Sequence, residues 1–581
     1  MKSFQIKETA KEYDVLIVGS GAGGGMAAHQ LTKAGAKVCM LEAGGYYDPA
    51  DPKYITQLKN PWESARRGAS SKFRSFGDFD AAWGGWNLEG EPYTQKDGSK
   101  FGWFRSRMLG GRTNHWGRIS LRFGPKDFKR KDIDGLGENW PISYEDVSPY
   151  YDAVDKLVGV FGSYEGLPDD PDSIFLPAPK PRLHELMFME ANKKTGVTTI
   201  PSRLSILTKP INEQRGSCFY CHQCSRGCQA YADFSASSVL CIPAMKTGNL
   251  TLINNAMARE VLTDENGKAT GVSYVNKHTL EEVTVRAKIV ILAASACESS
   301  RLLLNSKSSR FQNGLANSSG VVGKYLHDST GSGRSAYVPE LADRQRYNED
   351  GVGGLHVYSP WWLDNKKLDF PRGYHIEYGG GMNQPAYGFG FGMENLNGKF
   401  PDRNGNMKKA GGYGAGLKDD YRRFYGSMIH MAGRGEAVAR EDNYCEIDPS
   451  VVDKWGIPVL RFNYKWSDYE RNQAKHMQDT FEEIIGAMGG IALGDKPDAS
   501  KDHGLLNPGE IIHEVGTVRM GSDPNKSVLN GNNQAHDVKN LFVVDGGAFV
   551  SQADKNPTWT ILALSMRASE FIMKGVKGGG L

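Results

Sequence analysis

Between residues 14 and 19 the chain reads DVLIVG, an unbroken apolar run rich in β-branched residues. A run without polar alternation predicts a strand buried on both faces, as in a parallel sheet. GSGAGGG follows, then MAAHQLTKAG, which predicts a helix ending at Gly35, and AKVCMLEAGG, which predicts a second strand ending at Glu42. Strand, helix and strand in this order predict a βαβ unit. Residues 46–135 read as loops rich in aromatics and glycine, and 136–165 as partly helical. The Pro-rich LPAPKPRLH comes next, ahead of a group of cysteines. Strands return in NLTLINNAMAREVLT, GVSYVN and KIVILAAS, followed by a helix in ESSRLLLNS. Short alternating runs across 330–470, rich in Tyr, Trp, Phe and Gly, predict a mainly antiparallel sheet. A helix is expected at about 467–489, a buried strand in LFVVDGGAF, and a last amphipathic helix in NPTWTILALSMRASEFIMKG. No internal repeat is visible.

Composition narrows the class. The chain has 581 residues, 39% of them hydrophobic, enough for a sizeable core. Its 70 Lys and Arg against 67 Asp and Glu leave a net charge of +3, which gives no argument for nucleic acid as a partner. The 70 glycines are about 12% of the chain, against an average usage of about 7%. That excess predicts tight turns and close backbone approaches. No apolar run reaches the roughly 18 residues of a membrane span. The opening MKSFQIKETAKEYDV lacks an apolar signal core, so no export signal is expected in this chain.

Gly19-x-Gly21-x-x-Gly24 lies between the first strand and the first helix. In such a fingerprint the first Gly makes the tight turn and the second lets a pyrophosphate approach the backbone. The third allows helix and strand to pack closely, and the helix N-terminus offers its N–H groups to the phosphates. Glu42 closes the second strand, placed to accept a hydrogen bond from a ribose hydroxyl. The motif predicts dinucleotide binding but does not decide between NAD and FAD.

Three further segments do. RMLGGRTNHWGR (107–118), IIHEVGTVRMG (511–521) and NLFVVDGGAFVSQADKNPTWTILA (540–563), with the fingerprint, resemble the glucose–methanol–choline (GMC) oxidoreductase family. The resemblance extends through KIVILAASACESSRLLLNS and AREDNYCEIDPSVVDKWGIP, and is strongest to the branch of bacterial sugar dehydrogenase large subunits and pyranose oxidases. It implies FAD and an α/β fold. A discontinuous Rossmann-like FAD-binding domain (1–50, 105–125, 235–330 and 500–581) would carry an inserted α+β substrate-binding domain (126–234 and 331–499). The mainly antiparallel sheet of the latter would roof the active site.

Oxidising an alcohol needs a base for the hydroxyl proton and an acceptor for the hydride, and neutral His is the natural base near pH 7. His513 matches the family's catalytic His and Asn556 the second member of its pair. An amide can hold the substrate oxygen but cannot take its proton, so the base role falls to His513. Asn556 is also expected to cap the last helix, with Pro557 at its first position and Thr558 beside it. That helix N-terminus would stabilise negative charge on reduced flavin. Asp545 resembles the family's acid near the ribityl chain or pyrophosphate, and also suits a turn cap. Gly110 and Gly111 resemble the loop beside the flavin. In the pyranose-oxidase branch a Thr-His-Trp segment bonds covalently to the flavin. Here Asn114-His115-Trp116 stands in its place, leaving His115 either bonded to the flavin or packed against it.

Cys218-x2-Cys221-x2-Cys224-x3-Cys228, in a Cys-rich loop at 215–230, resembles a ferredoxin-type run without its following Pro. It predicts an iron–sulfur cluster, with three or four irons; structural zinc and purely structural cysteines are the other readings. A one-electron relay suits a dehydrogenase with an external acceptor. The leading expectation is therefore an FAD- and iron–sulfur-dependent sugar or glycoside dehydrogenase. A peroxide-making oxidase of the pyranose-oxidase type is the alternative, and an electron-transfer subunit without its own substrate is a reading of another class. Relatives of this branch imply a small partner subunit, cytochrome as electron acceptor, and a periplasmic site reached by co-export, against a cytoplasmic enzyme working alone.

Overall fold

A computed structural model describes residues 12–54, 84–222, 224, 227–344, 351–360, 368–381 and 414–578. Parts of the expected domains, among them the aromatic, glycine-rich stretch at 382–413, lie outside the described residues.

The chain opens with β1 (Tyr13–Val18), α1 (Ala22–Lys33) and β2 (Val38–Glu42). It continues through α2 (Tyr144–Val158) and α3 (Leu183–Thr195). Then come β3 (Leu250–Asn254), β4 (Ala256–Thr263), β5 (Ala269–Asn276), β6 (Glu282–Leu292) and α4 (Ala296–Asn305). β7 (Thr330–Tyr337), β8 (Val357–Ser359), β9 (Tyr374–Gly380) and β10 (Met428–Gly435) follow. α5 (Asp468–Ala487), β11 (Leu541–Val543) and α6 (Thr558–Gly578) complete the main elements.

The first sheet has seven strands in the order β4-β5-β6-β1-β2-β3, with β11 also on β6. β6–β1, β1–β2, β2–β3 and β6–β11 are parallel; β4–β5 and β5–β6 are antiparallel. The unbroken apolar runs have a direct cause. In β1, Leu16 and Val18 enter one apolar cluster while Val15 and Ile17 enter another on the opposite face. β2 divides in the same way, Cys39 and Leu41 against Val38 and Met40. β6 changes character along its length: its first half alternates exposed and buried positions beside β5, and Ile289–Leu292 are all buried in the parallel core.

The second sheet has six strands, Ile491–Ala492, β7, β10, β9, β8 and Ile200–Pro201 in that order, paired antiparallel. Tyr374, Ile376 and Tyr378 of β9 pack with Met477, Phe481 and others of α5. The alternate positions, His375 and Glu377, therefore face the other way.

One segment lies elsewhere than expected. Val147, Tyr151, Val154 and Val158 of α2, assigned by sequence to the substrate-binding part, share a cluster with Leu16 and with Leu562 of α6. The apolar stripe of this helix covers the first sheet's side of the molecule, so 144–158 belongs with the dinucleotide sheet. A buried charged cluster holds the two sheets together. Glu436 receives Arg130 at 2.8 Å and Arg372 at 2.8 Å, and Asp127 receives Arg130 at 2.6 Å and Lys555 at 3.2 Å. Among the described residues no helix is long and apolar enough to cross a membrane.

Candidate active site

One cavity of about 540 Å³ runs from Gly19–Gly23 to His513 and Asn556, so the fingerprint and the catalytic pair open onto a single space. Its floor follows from the close packing of the glycines. Gly19 has φ +97°, and a Cβ there would lie 2.3 Å from the carbonyl oxygen of Ala293. A Cβ on Gly24 would lie 1.9 Å from the oxygen of Gly19, so only glycine lets α1 sit this close to the turn. Gly21 differs: a Cβ there meets no protein atom within 4 Å, and the residue lines the cavity. The three glycines thus divide into turn, open floor and helix contact.

Glu42 also lines the cavity. Its Oε2 accepts from Ser20 Oγ at 2.5 Å and its Oε1 from the Gly44 N–H at 2.7 Å, and burial raises its pKa. Gly111 and His115 form part of the wall. His115 is buried, edge-on to Phe104 at 5.2 Å. Gly110 lies behind the wall with φ +87°, and its N–H donates to Ser20 Oγ. Asn114 does not face the cavity. Its Nδ2 donates to the carbonyls of Leu109 and Gly111, and its Oδ1 accepts from Ser237. The expected cofactor contact at Asn114 is corrected to a structural one: its amide closes the 3-10 turn Gly111–Asn114 from behind.

Asp545 is the turn cap that was expected of it. It lines the cavity, and it caps a short turn through the Gly547 N–H at 2.8 Å while accepting from Ser299 Oγ at 2.5 Å. Burial pushes its carboxyl up to about 6. Pro557 and Thr558 begin α6 at the cavity wall, so the positive end of that helix faces the space.

His513 is held on both ring nitrogens. Nδ1 lies 3.0 Å from Ser329 Oγ, which also receives the Gln552 amide at 2.7 Å. Nε2 lies 3.4 Å from Asn556 Nδ2. An amide nitrogen only donates, so Nε2 is the unprotonated nitrogen and Nδ1–H donates to Ser329. Burial, with Arg434 nearby, lowers the His513 pKa to about 3, leaving the ring a neutral base. The Oδ1 of Asn556 is buried without a partner among the described residues. Asn556 therefore does not cap α6 as expected; its side chain is turned to the cavity, where a substrate oxygen or its hydroxyl can meet it.

Several wall residues were not singled out by sequence reasoning, some of them inside the family-like segments. Arg112 pairs with Glu514 at 2.6 Å, and Arg107 with Glu91 at 2.6 Å and Glu298 at 2.5 Å. Glu377 and Arg434 come from β9 and β10 of the second sheet, which thus overlies His513. The alternation in YHIEYGG signals that His375 and Glu377 share a face, but not what that face meets.

The cysteine loop is partly described. Cys218 and Cys224 pack against the cluster of Leu204 and Ile206, and burial raises the thiols of Cys218, Cys224 and Cys228. Among the described residues no group of three or more His, Cys, Asp or Glu side chains is gathered as a metal set. The four thiols are chemically the donors an iron–sulfur cluster takes; Cys228 is buried and Cys218, Cys221 and Cys224 are half-buried. Arg118 ties the loop to the cavity wall, donating to the carbonyls of Trp116 at 2.5 Å and Cys224 at 2.7 Å. Trp116 itself lines the cavity.

The floor glycines, the helix terminus and the unpartnered Oδ1 of Asn556 fit a flavin dinucleotide with its substrate. Comparison with known proteins agrees. Family models described as GMC oxidoreductase match residues 13–330 and 439–565. The 2-methyl-1,2-propanediol dehydrogenase of Mycolicibacterium austroafricanum is 30% identical over 97% of this chain and 96% of that protein. The fructose dehydrogenase large subunit of Gluconobacter japonicus is 26% identical over 97% of this chain and 98% of its own. A formate oxidase of Aspergillus oryzae RIB40, in a structure concerned with FAD modification, superposes with a TM-score of 0.65 at 14% identity, over 98% of this chain and 100% of that one.

Proposed function

The chain belongs to the GMC oxidoreductase family and is an FAD-dependent oxidoreductase acting on CH–OH groups; from that premise we propose that it is a dehydrogenase of sugars or related polyhydroxy compounds, with His513 as the base. The observation that carries the reading is the neutral His513, its bare Nε2 beside Asn556 in the cavity that begins at Gly19. Nε2 takes the proton of the substrate hydroxyl, and Asn556 orients the oxygen. Ser329 and Gln552 keep the ring in the tautomer this requires. FAD, when bound, would supply the acceptor for the hydride that leaves the carbon bearing that hydroxyl. Asp545 and the α6 terminus bound that end of the cavity, Glu42 the other.

The finer part of the proposal concerns onward electron transfer. The cysteine spacing supports an iron–sulfur cluster held by Cys218, Cys221, Cys224 and Cys228, and the Arg118 link from Trp116 to Cys224 supports its lying close to the cavity. A relative named as a large subunit supports a small partner subunit. Export with that partner to a periplasmic cytochrome acceptor completes the reading.

The test is made on purified protein. FAD absorbance should bleach anaerobically with a sugar or polyol, and dye should be reduced faster than oxygen. His513→Ala should retain FAD and bleach at least about 100-fold more slowly; a near-normal rate refutes the assignment of the base. Iron and sulfide analysis settles the loop: Cys224→Ser should lose iron and keep FAD, whereas zinc or no metal in the wild type ends the relay proposal. Co-expression with neighbouring genes, followed by fractionation, tests the partner and the compartment.

A further inference from the structure

Glu377 and Arg434 stand side by side on the face of the second sheet that overlies His513, and both line the cavity. They form an open pair. Arg434 Nε lies 3.8 Å from Glu377 Oε2, too far for a hydrogen bond. Glu377 uses its other oxygen, Oε1, for His375 Nε2 at 3.2 Å. Arg434 uses Nη1 for the Gly433 carbonyl at 3.1 Å. Among the described residues no hydrogen bond occupies Glu377 Oε2 or Arg434 Nε, so an acceptor and a donor stand open on two residues that line the cavity.

The spacing suits one particular guest. An oxygen making two hydrogen bonds of about 2.8 Å, one given to the carboxylate and one taken from the guanidinium, bridges a 3.8 Å gap without moving either group. A hydroxyl is the organic group that donates and accepts at once. A carboxylate guest would meet Glu377 with like charge, and an ammonium would meet Arg434. We propose that Glu377 and Arg434 seat a second hydroxyl of the substrate while the hydroxyl to be oxidised sits at His513 and Asn556, so that the enzyme selects polyhydroxy compounds over simple alcohols. The inference rests on the CH–OH oxidation proposed above and adds the source of its selectivity. His375, itself held by the Asp554 carbonyl, is the positioning residue that fixes the Glu377 carboxylate.

The experiment is anaerobic flavin reduction with two series that remove hydroxyls one at a time: glycerol, 1,2-propanediol and 1-propanol, and D-glucose with its monodeoxy analogues. In at least one series wild-type kcat/KM should fall by about 100-fold or more when the second hydroxyl is lost, because the open pair is then left unfilled. In Glu377→Gln and Arg434→Met that preference should shrink below about tenfold, with the loss mainly in KM and FAD content unchanged. Glu377→Asp and Arg434→Lys should restore part of it. A merely structural role would slow every substrate alike. If all members reduce the wild-type flavin equally, or the variants keep the wild-type preference, the inference is overturned while alcohol oxidation stands. If no member reduces the flavin, the oxidation reading falls and takes the inference with it.

Discussion

At the scale of single residues, the state of His513 sets the expected pH behaviour. An ordinary His titrates near 6.5, and burial holds this one at about 3. Because the protonated form is the one disfavoured, the ring stays a base throughout the physiological range. With the neighbouring Asp328 neutralised as Asn, flavin reduction at saturating substrate should therefore stay level between pH 9 and 6. Asp328 is the neighbour that titrates there: it accepts from the His513 backbone N–H at 2.9 Å, and burial raises its carboxyl to about 7. The measurement belongs in Asp328→Asn, where an inflection persisting near pH 6.5 would refute the neutral-base assignment. His513 and Asn556 were legible because the residues around them carry a family pattern. The direction in which Asn556 and Asn114 point was not, since either amide is equally able to cap, brace or bind, and packing decides.

At the scale of elements, the β1–α1 turn separates folding from binding. Gly24→Ala places a Cβ 1.9 Å from the Gly19 oxygen, and soluble yield should collapse. Gly21→Val adds its side chain where no protein atom stands, at φ −64°. The chain should fold with normal circular dichroism yet retain at least about tenfold less FAD, since the backbone no longer meets the pyrophosphate. Equal folding of both variants would sink this division of roles. The parallel strands were readable because both faces of each are buried and the apolar run is continuous. β7 to β10 were readable only as a type. Their polar positions alternate correctly, but pairing β9 with β10, and setting both over residues 511–515, depends on contacts between distant parts of the chain that no local pattern encodes. The placement of α2 was hidden for the same reason: its stripe shows that it packs, not against which layer.

For the whole molecule, the buried cluster around Glu436 is the fastening between the two sheets. Glu436 immediately follows β10, Arg372 precedes β9, Arg130 and Asp127 come from the segment before α2, and Lys555 adjoins Asn556. Glu436→Gln leaves Arg130 and Arg372 buried with less negative charge. A loss of about 3–5 kcal/mol is expected, seen as denaturation at lower urea with early flavin release. An unchanged midpoint would show that the two sheets are fastened by apolar packing alone.

The cavity wall draws on residues 18–23, 42, 111–113, 115–117, 256–258, 293–296 and 298, and finally 545–546, 556–558 and 561. β11, which precedes Asp545, pairs with β6, and α6 supplies Pro557, Thr558 and Ile561. A ribosome therefore releases most of the polypeptide before the flavin has a complete seat. Cofactor capture must wait until synthesis has passed residue 561, and a nascent chain stalled earlier should emerge colourless however well its first βαβ unit has formed.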